Sequence, residues 1–409
     1  MEPTTRTVLA LPLMVLSAIA ARPAGAATYV VDRGDDSAAF TACTAVPQDC
    51  TLRGAILAAN ANPGLDEITF DFTSFLGEIV VLTIPRTGDD SPEEGDLDIT
   101  DDVAIDGGFQ DGVFIVGGGG FNDRIFDVDA AVGAVHFLDL FIMGGEATTL
   151  ADFCGGGILT SADTFLHRVE VSDNQAHAGG GICMDQNAKL LLDRSSVTGN
   201  TAVTLGGGIM FYGGELDLLQ STISGNTSGS LSGAVHVQFL ATGPVSLEHV
   251  TLTDNSTSHV DGADFYVEGF PSSVEILGSI IDGDCYDPSS LFTSQGGNLE
   301  GPGDTCGFDP MIDQIGVADM RLEPLAFGNT DLVLTRCHQP RWNSPAVDDP
   351  LGVLAASCPT QDQRFLARPQ DGNGDGVAAC DSGAVEAQPP IFVDGFESGD
   401  TGAWSSTVP

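Results

Sequence analysis

A single lysine, Lys189, stands in a chain of 409 residues. Lysine and arginine together number 14 against 58 aspartates and glutamates, a formal net charge of −44. So little positive charge argues against nucleic acid or an anionic membrane as a partner. Most of the carboxylates read as a solvated acidic surface, one that invites divalent cations. Long apolar runs are also missing: beyond residue 26 nothing approaches the ~20 residues needed to cross a bilayer. Helical spacing is scarce, and glycine triplets interrupt what there is, which excludes leucine-rich and helical repeats. The seven histidines are dispersed and no pair has zinc spacing.

What the chain does have is a repeat. A nine-residue phrase runs from Leu166 to Asn174 and returns at Leu192–Asn200, Leu218–Asn226, Leu247–Asn255 and Ile276–Asp284, with a looser copy at Phe137–Gly145. Successive copies start 29, 26, 26, 29 and 29 residues apart. A period in the twenties indicates a solenoid. The sixth position is aliphatic throughout: Val171, Val197, Ile223, Leu252, Ile281. The ninth is Asn174, Asn200, Asn226, Asn255, Asp284. Between phrases lie Gly155-Gly-Gly-Ile158, Gly179-Gly-Gly-Ile182 and Gly206-Gly-Gly-Ile209, degrading to Ser232-Gly-Ala-Val235 and Gly262-Ala-Asp-Phe265.

Short β-branched strands separated by Gly and Asn bends predict an all-β fold, a parallel β-helix, right-handed as parallel crossovers are. Coils stacked at about 4.8 Å turn identical positions into ladders. The Val/Ile ladder faces inward, each side chain contributing roughly 1.5–3 kcal/mol. The Asn ladder is expected at a bend, with Asn in the left-handed region and its amides bonded along the axis. The fifty-two glycines fit this turn-rich architecture because the hydrophobic fraction is 42%.

Residues 1–26 read as a secretory signal peptide: Arg6, then an apolar Val8–Ala21, then Ala24-Gly25-Ala26. Residues 27–94 form an N-terminal cap and first strands, 95–310 the β-helix, 311–387 final irregular coils and a C-terminal cap, and 388–409 a tail that resembles a sorting motif. Thr51 is placed to cap a helix whose apolar face is Leu52, Ala55, Ile56 and Ala59. Such a helix would cover the open end that a solenoid must protect. Nine cysteines with export imply disulfides. Cys43 and Cys50 are close in sequence; Cys154 and Cys183 each lie 17 residues past the start of their phrases, Phe137 and Leu166. Cys285 with Cys306 and Cys358 with Cys380 follow, leaving Cys337 unpaired.

Cys50-Thr-Leu-Arg-Gly-Ala-Ile-Leu-Ala-Ala-Asn60 resembles the "CSLREAI" signature of exported bacterial β-helix proteins, with Gly54 in place of the usual Glu. Gly95-Asp-Leu-Asp-Ile99 and the Gly-Gly-Gly-Ile repeats resemble the same family, which is related to polymorphic outer-membrane-protein repeats. Ser344-Pro-Ala-Val-Asp348, Cys358-Pro-x2-Asp-Gln-Arg364, Arg368-Pro-Gln370 and Cys380-Asp-Ser-Gly-Ala-Val-Glu386 resemble the "choice-of-anchor" β-helix proteins. The resemblance implies the pectate-lyase-like fold and export; it carries no assigned activity.

Two constellations bear on chemistry. Asp371-Gly-Asn373-Gly-Asp375-Gly376 spaces oxygen ligands as a calcium loop does, with Gly at the sixth position. Its twelfth position is Ser382, so Asp381 or Glu386 would have to supply the missing bidentate carboxylate. The second is a stacked face. Arg168, Arg194, Gln220 and His249 share one column; Asp173 and Asp254 share another, with Gly199 and Gly225 between. A polysaccharide lyase or glycoside hydrolase acting on an acidic glycan would draw on Arg168, Arg194, Glu170 and Asp173. A guanidinium is a poor base, and ordinary turn residues are the simpler reading of these positions. The expectation is therefore a secreted or cell-surface protein, monomeric, structural or adhesive, whose partner is an extracellular glycan or cell-surface component.

Overall fold

The structure is a computed structural model that describes residues 25–44, 46–71, 79–87, 91–108, 112–129, 131–149, 153–185, 188–258, 264–268, 271–328 and 335–388. Residues 1–24, where a signal peptide is expected, and the tail from residue 389 lie outside the described residues.

Four parallel sheets form the walls of a solenoid. The ten-stranded sheet runs from Thr28–Val31 to Phe292–Gly296 and the nine-stranded sheet from Ile79–Leu82 to Leu299–Gly301. The eight-stranded sheet runs from Leu97–Ile99 to Cys285–Tyr286, and a five-stranded sheet of two-residue strands from Glu146–Ala147 to Ser256–Thr257. One coil shows the order: Asp163–His167, Glu170–Ser172, Gln175–Ala176, then Ile182–Met184. Register follows the phrase. Val171 pairs with Val197, Val197 with Ile223, Ile223 with Leu252 and Leu252 with Ile281. All five are fully buried in one continuous core.

Two bends carry polar ladders of their own. After the nine-stranded sheet, Asn200 Oδ1 accepts from Asn174 N and Nδ2, both at 3.0 Å, and Asn226 and Asn255 repeat the pattern. The amides are stacked as expected. The left-handed residue, however, is the one before the asparagine: Asp173, Gly199, Gly225 and Asp254 have φ of 55°, 66°, 68° and 57°. Asn turns its amide inward to bond the coil above, and the bend itself falls on its exposed predecessor. The other bend joins the ten- and nine-stranded sheets, where Ser195 Oγ accepts from Val169 N and Ser221 Oγ from Ser195 N, each at 3.1 Å. The glycine corners are obligatory: a Cβ on Gly180 would sit 2.5 Å from Gly207 O.

The N-terminal helix, Leu52–Asn60, is capped by Thr51, whose side chain accepts from Gly54 N. It packs against Thr28–Val31, Asp66–Phe70 and Leu97–Ile99, at the starting end of the stack. Arg53 is buried beneath it, paired with Asp36 at 2.7 Å and donating to Gly95 O and Asp96 O. The four disulfides are Cys43–Cys50, Cys154–Cys183, Cys285–Cys306 and Cys358–Cys380; Cys337 is free and buried. Burial pushes its thiol up to about 12, which keeps it unreactive.

Residues 312–317 extend the last coil, with Gly297 N bonded to Ile312 O and Val317 N to Glu300 O. The chain then returns along the flank. Thr335 Oγ1 donates to Arg194 O, Gln363 Oε1 accepts from Thr222 Oγ1 at 2.7 Å, Ala384 N donates to Thr251 Oγ1 at 3.0 Å, and Ser382 Oγ to Gly297 O. This strap lies over the outward row of the nine-stranded sheet. No helix among the described residues is long and apolar enough to cross a membrane.

Candidate functional site

The strap determines the surroundings of the residues singled out on the stacked face. Arg168, Arg194, Gln220 and His249 do form one column, each in the left-handed conformation at the bend between the ten- and nine-stranded sheets. They are not free to act on a ligand. Arg168 Nη2 is bonded to Asp139, and Arg194 Nη1 lies 3.2 Å from Asp193 Oδ2 while its Nε donates to Asp362 O. The Phe365 ring covers both, 5.3 Å from the Arg168 guanidinium carbon and 4.8 Å from that of Arg194. Burial lowers the Arg168 pKa, against the opposing pull of Asp139. An ion-paired guanidinium under an aromatic ring has no route to a substrate proton.

Glu170 is equally committed. It is 1% exposed and accepts from Thr198 Oγ1, from Ser196 Oγ, and from Arg336 through both its backbone N and its Nε. Asp173 stays at the surface, 3.9 Å from Arg336 Nη2. Asp254, in the same column, is also exposed and lies 3.9 Å from His338 Nε2. Three coil spacings separate Asp173 from Asp254, or ~14 Å at about 4.8 Å per coil. That exceeds the roughly 5–10 Å that paired-carboxylate hydrolysis needs.

His249 and Arg368 meet under the strap, Nδ1 to Nη1 at 3.0 Å. Burial, then the Arg368 charge, pushes the imidazole down to about 3, so it is neutral and accepts. Arg368 also donates to Asp381 O and Gly383 O and lies 3.4 Å from Glu386 Oε2. A Ser224–His338 contact of 2.8 Å, with His338 Nδ1 donating to Glu323 O at 2.8 Å, has the connectivity of a nucleophile and base. Both side chains are buried at the strap interface. The bond between them fastens the strap to the nine-stranded sheet. Ser224 lies within the repeated Leu218–Asn226 phrase, and no signal in the sequence points to its partner 114 residues on.

The turn at Asp371–Gly376 is wrapped around its first acid. Asp371 Oδ1 accepts from Gly374 N and Asp375 N, its Oδ2 from Gly376 N, and Asn373 Oδ1 accepts from Asp375 N. Asp348 accepts from Gly372 N and Asn373 N beside it. Asp381 and Glu386, named as substitutes for the missing ligand, bond backbone amides away from this turn. Asp381 Oδ1 accepts from Asp348 N and its Oδ2 from Ala387 N; Glu386 accepts from Gln370 N and Asp381 N. Both are buried, held by the backbone amides of the strap's own turns. Asp371, Asn373 and Asp375 are left as a partial set of donors whose oxygens already serve amides.

A second acidic group was not singled out from the sequence. Asp96, Asp98 and Asp127 each offer an oxygen within 4.8 Å of the others. Asp98 and Asp127 are register partners on the outward face of the eight-stranded sheet. Arg124 Nη1 reaches Asp96 Oδ2 and Asp127 Oδ2, both at 2.9 Å. Burial and then the neighbouring Asp123 push Asp96 up to about 8. The signal for this group was Gly95-Asp-Leu-Asp-Ile99, whose alternation placed Asp98 outward; its partner Asp127 becomes visible only once the register is known.

The face left open lies on the five-stranded sheet. Gln175, Thr201, Thr227 and Ser256 are exposed at equivalent positions, and Thr227 Oγ1 lies 3.1 Å from Ser256 Oγ. Above them run Asp173, Gly199, Gly225 and Asp254. No family model, curated protein sequence or solved structure matches this chain.

Proposed function

We propose that this chain is an exported β-solenoid protein of the CSLREAI and choice-of-anchor kind, acting at the cell surface or outside the cell as a structural or adhesive element that binds glycan. The observation that carries the reading is where polar groups remain available. Glu170 and Arg194 are bonded to the strap and Arg168 to Asp139, whereas the Gln175, Thr201, Thr227 and Ser256 row is exposed at equivalent positions of successive coils. A ladder of hydroxyl and amide groups at about 4.8 Å intervals suits an extended, hydroxyl-rich chain. Four disulfides support an oxidising location.

The test is binding of the full chain to a panel of neutral and acidic polysaccharides, alongside an assay for new reducing ends and for unsaturated uronate. Binding without turnover is expected. Thr227→Arg, which sets a long charged side chain in the middle of the row, should abolish retention while leaving the melting temperature unchanged. Cleavage of an acidic glycan would overturn the reading in favour of a lyase or hydrolase.

A further inference from the structure

Asn373-Gly374 is the only Asn-Gly pair in the chain. It lies in the turn that the Gln370–Ala379 bridge closes within the strap. The atoms around it are held in place. Asn373 N donates to Asp348 Oδ2 at 3.0 Å, and Gly374 N donates to Asp371 Oδ1 at 2.8 Å. Asp375 N donates to Asn373 Oδ1 at 2.8 Å and shares its hydrogen with Asp371 Oδ1 at 3.0 Å. The Gly374 nitrogen therefore has a carboxylate at its proton, and the Asn373 side-chain carbonyl has an N–H donor at its oxygen. Those are the places of a general base and an oxyanion donor for attack of that nitrogen on that carbonyl. The two groups belong to adjacent residues, so the attack is intramolecular. Gly374 has a φ of 79° and no side chain to shield its nitrogen. Asn373 and Gly374 are half-buried and the turn is exposed from Asp375 to Ala378, so water has access.

We propose that Asn373 is a self-modifying residue, converted by the turn that holds it, through a succinimide formed with Gly374, to aspartate and isoaspartate. The Gly374 nitrogen bonds to Asn373 Cγ and its proton passes to Asp371. The bond from Cγ to the side-chain nitrogen then breaks, and that nitrogen leaves with the proton as ammonia. Water opens the succinimide at either carbonyl. Attack at one restores the normal backbone with aspartate, and attack at the other leaves isoaspartate. Each conversion adds a carboxylate beside Asp348, Asp371 and Asp375, and isoaspartate also lengthens the backbone of the turn. The ladder asparagines lack the arrangement: Asn174, Asn200 and Asn226 are buried, and a residue with a side chain follows each of them.

Holding the native full chain at 37 °C and pH 6.5 tests this, with the same chain unfolded in urea as the reference. Peptide mapping by mass spectrometry reads the exchange of NH2 for OH at residue 373, and enzymatic methylation reads isoaspartate. Asn373 should convert at least tenfold faster in the native chain than in the unfolded one, while native Asn174, Asn200 and Asn226 stay intact. A native rate equal to or below the unfolded rate would overturn the proposal, because the turn would then protect the residue. Asp371→Ser keeps an oxygen acceptor but removes the base, and should bring the native rate down to the unfolded one; an unchanged rate would refute the role given to Asp371. Should that variant lose the turn, the wild-type pH profile decides. With Asp371 taking the proton, the native rate should stay level from pH 6 to pH 8 while the unfolded rate rises in proportion to hydroxide, and equal slopes would refute the mechanism.

Discussion

Replacing Asn200 with alanine measures what the amide ladder contributes. The side chain is fully buried and makes four hydrogen bonds: from Asn174 N and Nδ2, both 3.0 Å, to Val171 O at 2.9 Å, and to Asn226 Oδ1 at 3.0 Å. Two partners keep an alternative. Asn174 Nδ2 still donates to Ile142 O, and Asn226 Oδ1 still accepts from Asn200 N. Asn174 N loses its acceptor and Val171 O this donor, in a site closed to water. At about 1–3 kcal/mol for each buried group left unsatisfied, Asn200→Ala should cost about 4 kcal/mol. Thr227→Ala, on the exposed row, should cost less than about 0.5 kcal/mol. Urea denaturation followed by far-UV circular dichroism would read both, provided the denaturant slope is unchanged. Asn200→Asp adds a directional check. It keeps the two acceptor bonds but sets a carboxylate oxygen against Val171 O and Asn226 Oδ1, so its deficit should shrink as pH falls and the group protonates. A loss for Asn200→Ala below about 1 kcal/mol would refute the argument that amide bonds along the axis hold successive coils together.

Val197→Asp places a charge in the fully buried aliphatic ladder and should unfold the coil; wild-type melting would show that the core lies elsewhere. Arg336→Ala leaves Glu170 buried without its cation and should cost about 3–5 kcal/mol, with Glu170→Gln in the same chain restoring a good part; equal losses for single and double variants would break the coupling. Asp96 and Asp381 are pushed up from 3.8 to about 8 and Asp139 from 3.8 to about 6, in each case mainly by burial. These carboxyls hold protons more tightly folded than unfolded. Their contribution is complete below pH 3.8 and is lost as pH rises through about 6 to 8. Without divalent ions, melting should therefore occur lower at pH 8.5 than at pH 5, and Asp381→Asn should flatten the profile; a midpoint that rises with pH contradicts this.

The parts of the fold legible in the sequence are those set by repetition or by local chemistry. Val171, Val197 and Ile223 repeat because each occupies the same inward site. Thr51 before Leu52 reads as a cap because a hydroxyl there satisfies a helix amide. The cysteine pairs follow from proximity in sequence or from equal offset in the phrase. The strap was not legible. Its bonds join residues 85 to 168 positions apart, such as Gly297 with Ser382, Thr222 with Gln363 and Arg194 with Asp362, and no local period announces such partners. For the same reason the Arg168 and Arg194 column reads from sequence as an open face, though the fold closes it with Phe365. The bend conformation was misassigned because Asn tolerates the left-handed region and is stacked there in sequence. The amide's inward bonds hold it out of that region, and Asp173 or Gly199 takes the turn instead.

A bare stack of coils can lose its end coil without disturbing those further in, because each touches only its neighbours. The strap removes that freedom. It is stitched to Glu170, Arg194, Thr222, Thr251, Gly278 and Gly297, on successive rungs of the stack. Separation of any coil from Glu170 to Gly297 now has to break contacts with a segment fixed to the others. It works as a splint along a stack of coins, converting coils that would peel one at a time into a block that resists until the splinted length gives way. The strap is thus the segment that makes the coils it crosses a single cooperative body, and a chain cut before residue 335 should melt in steps.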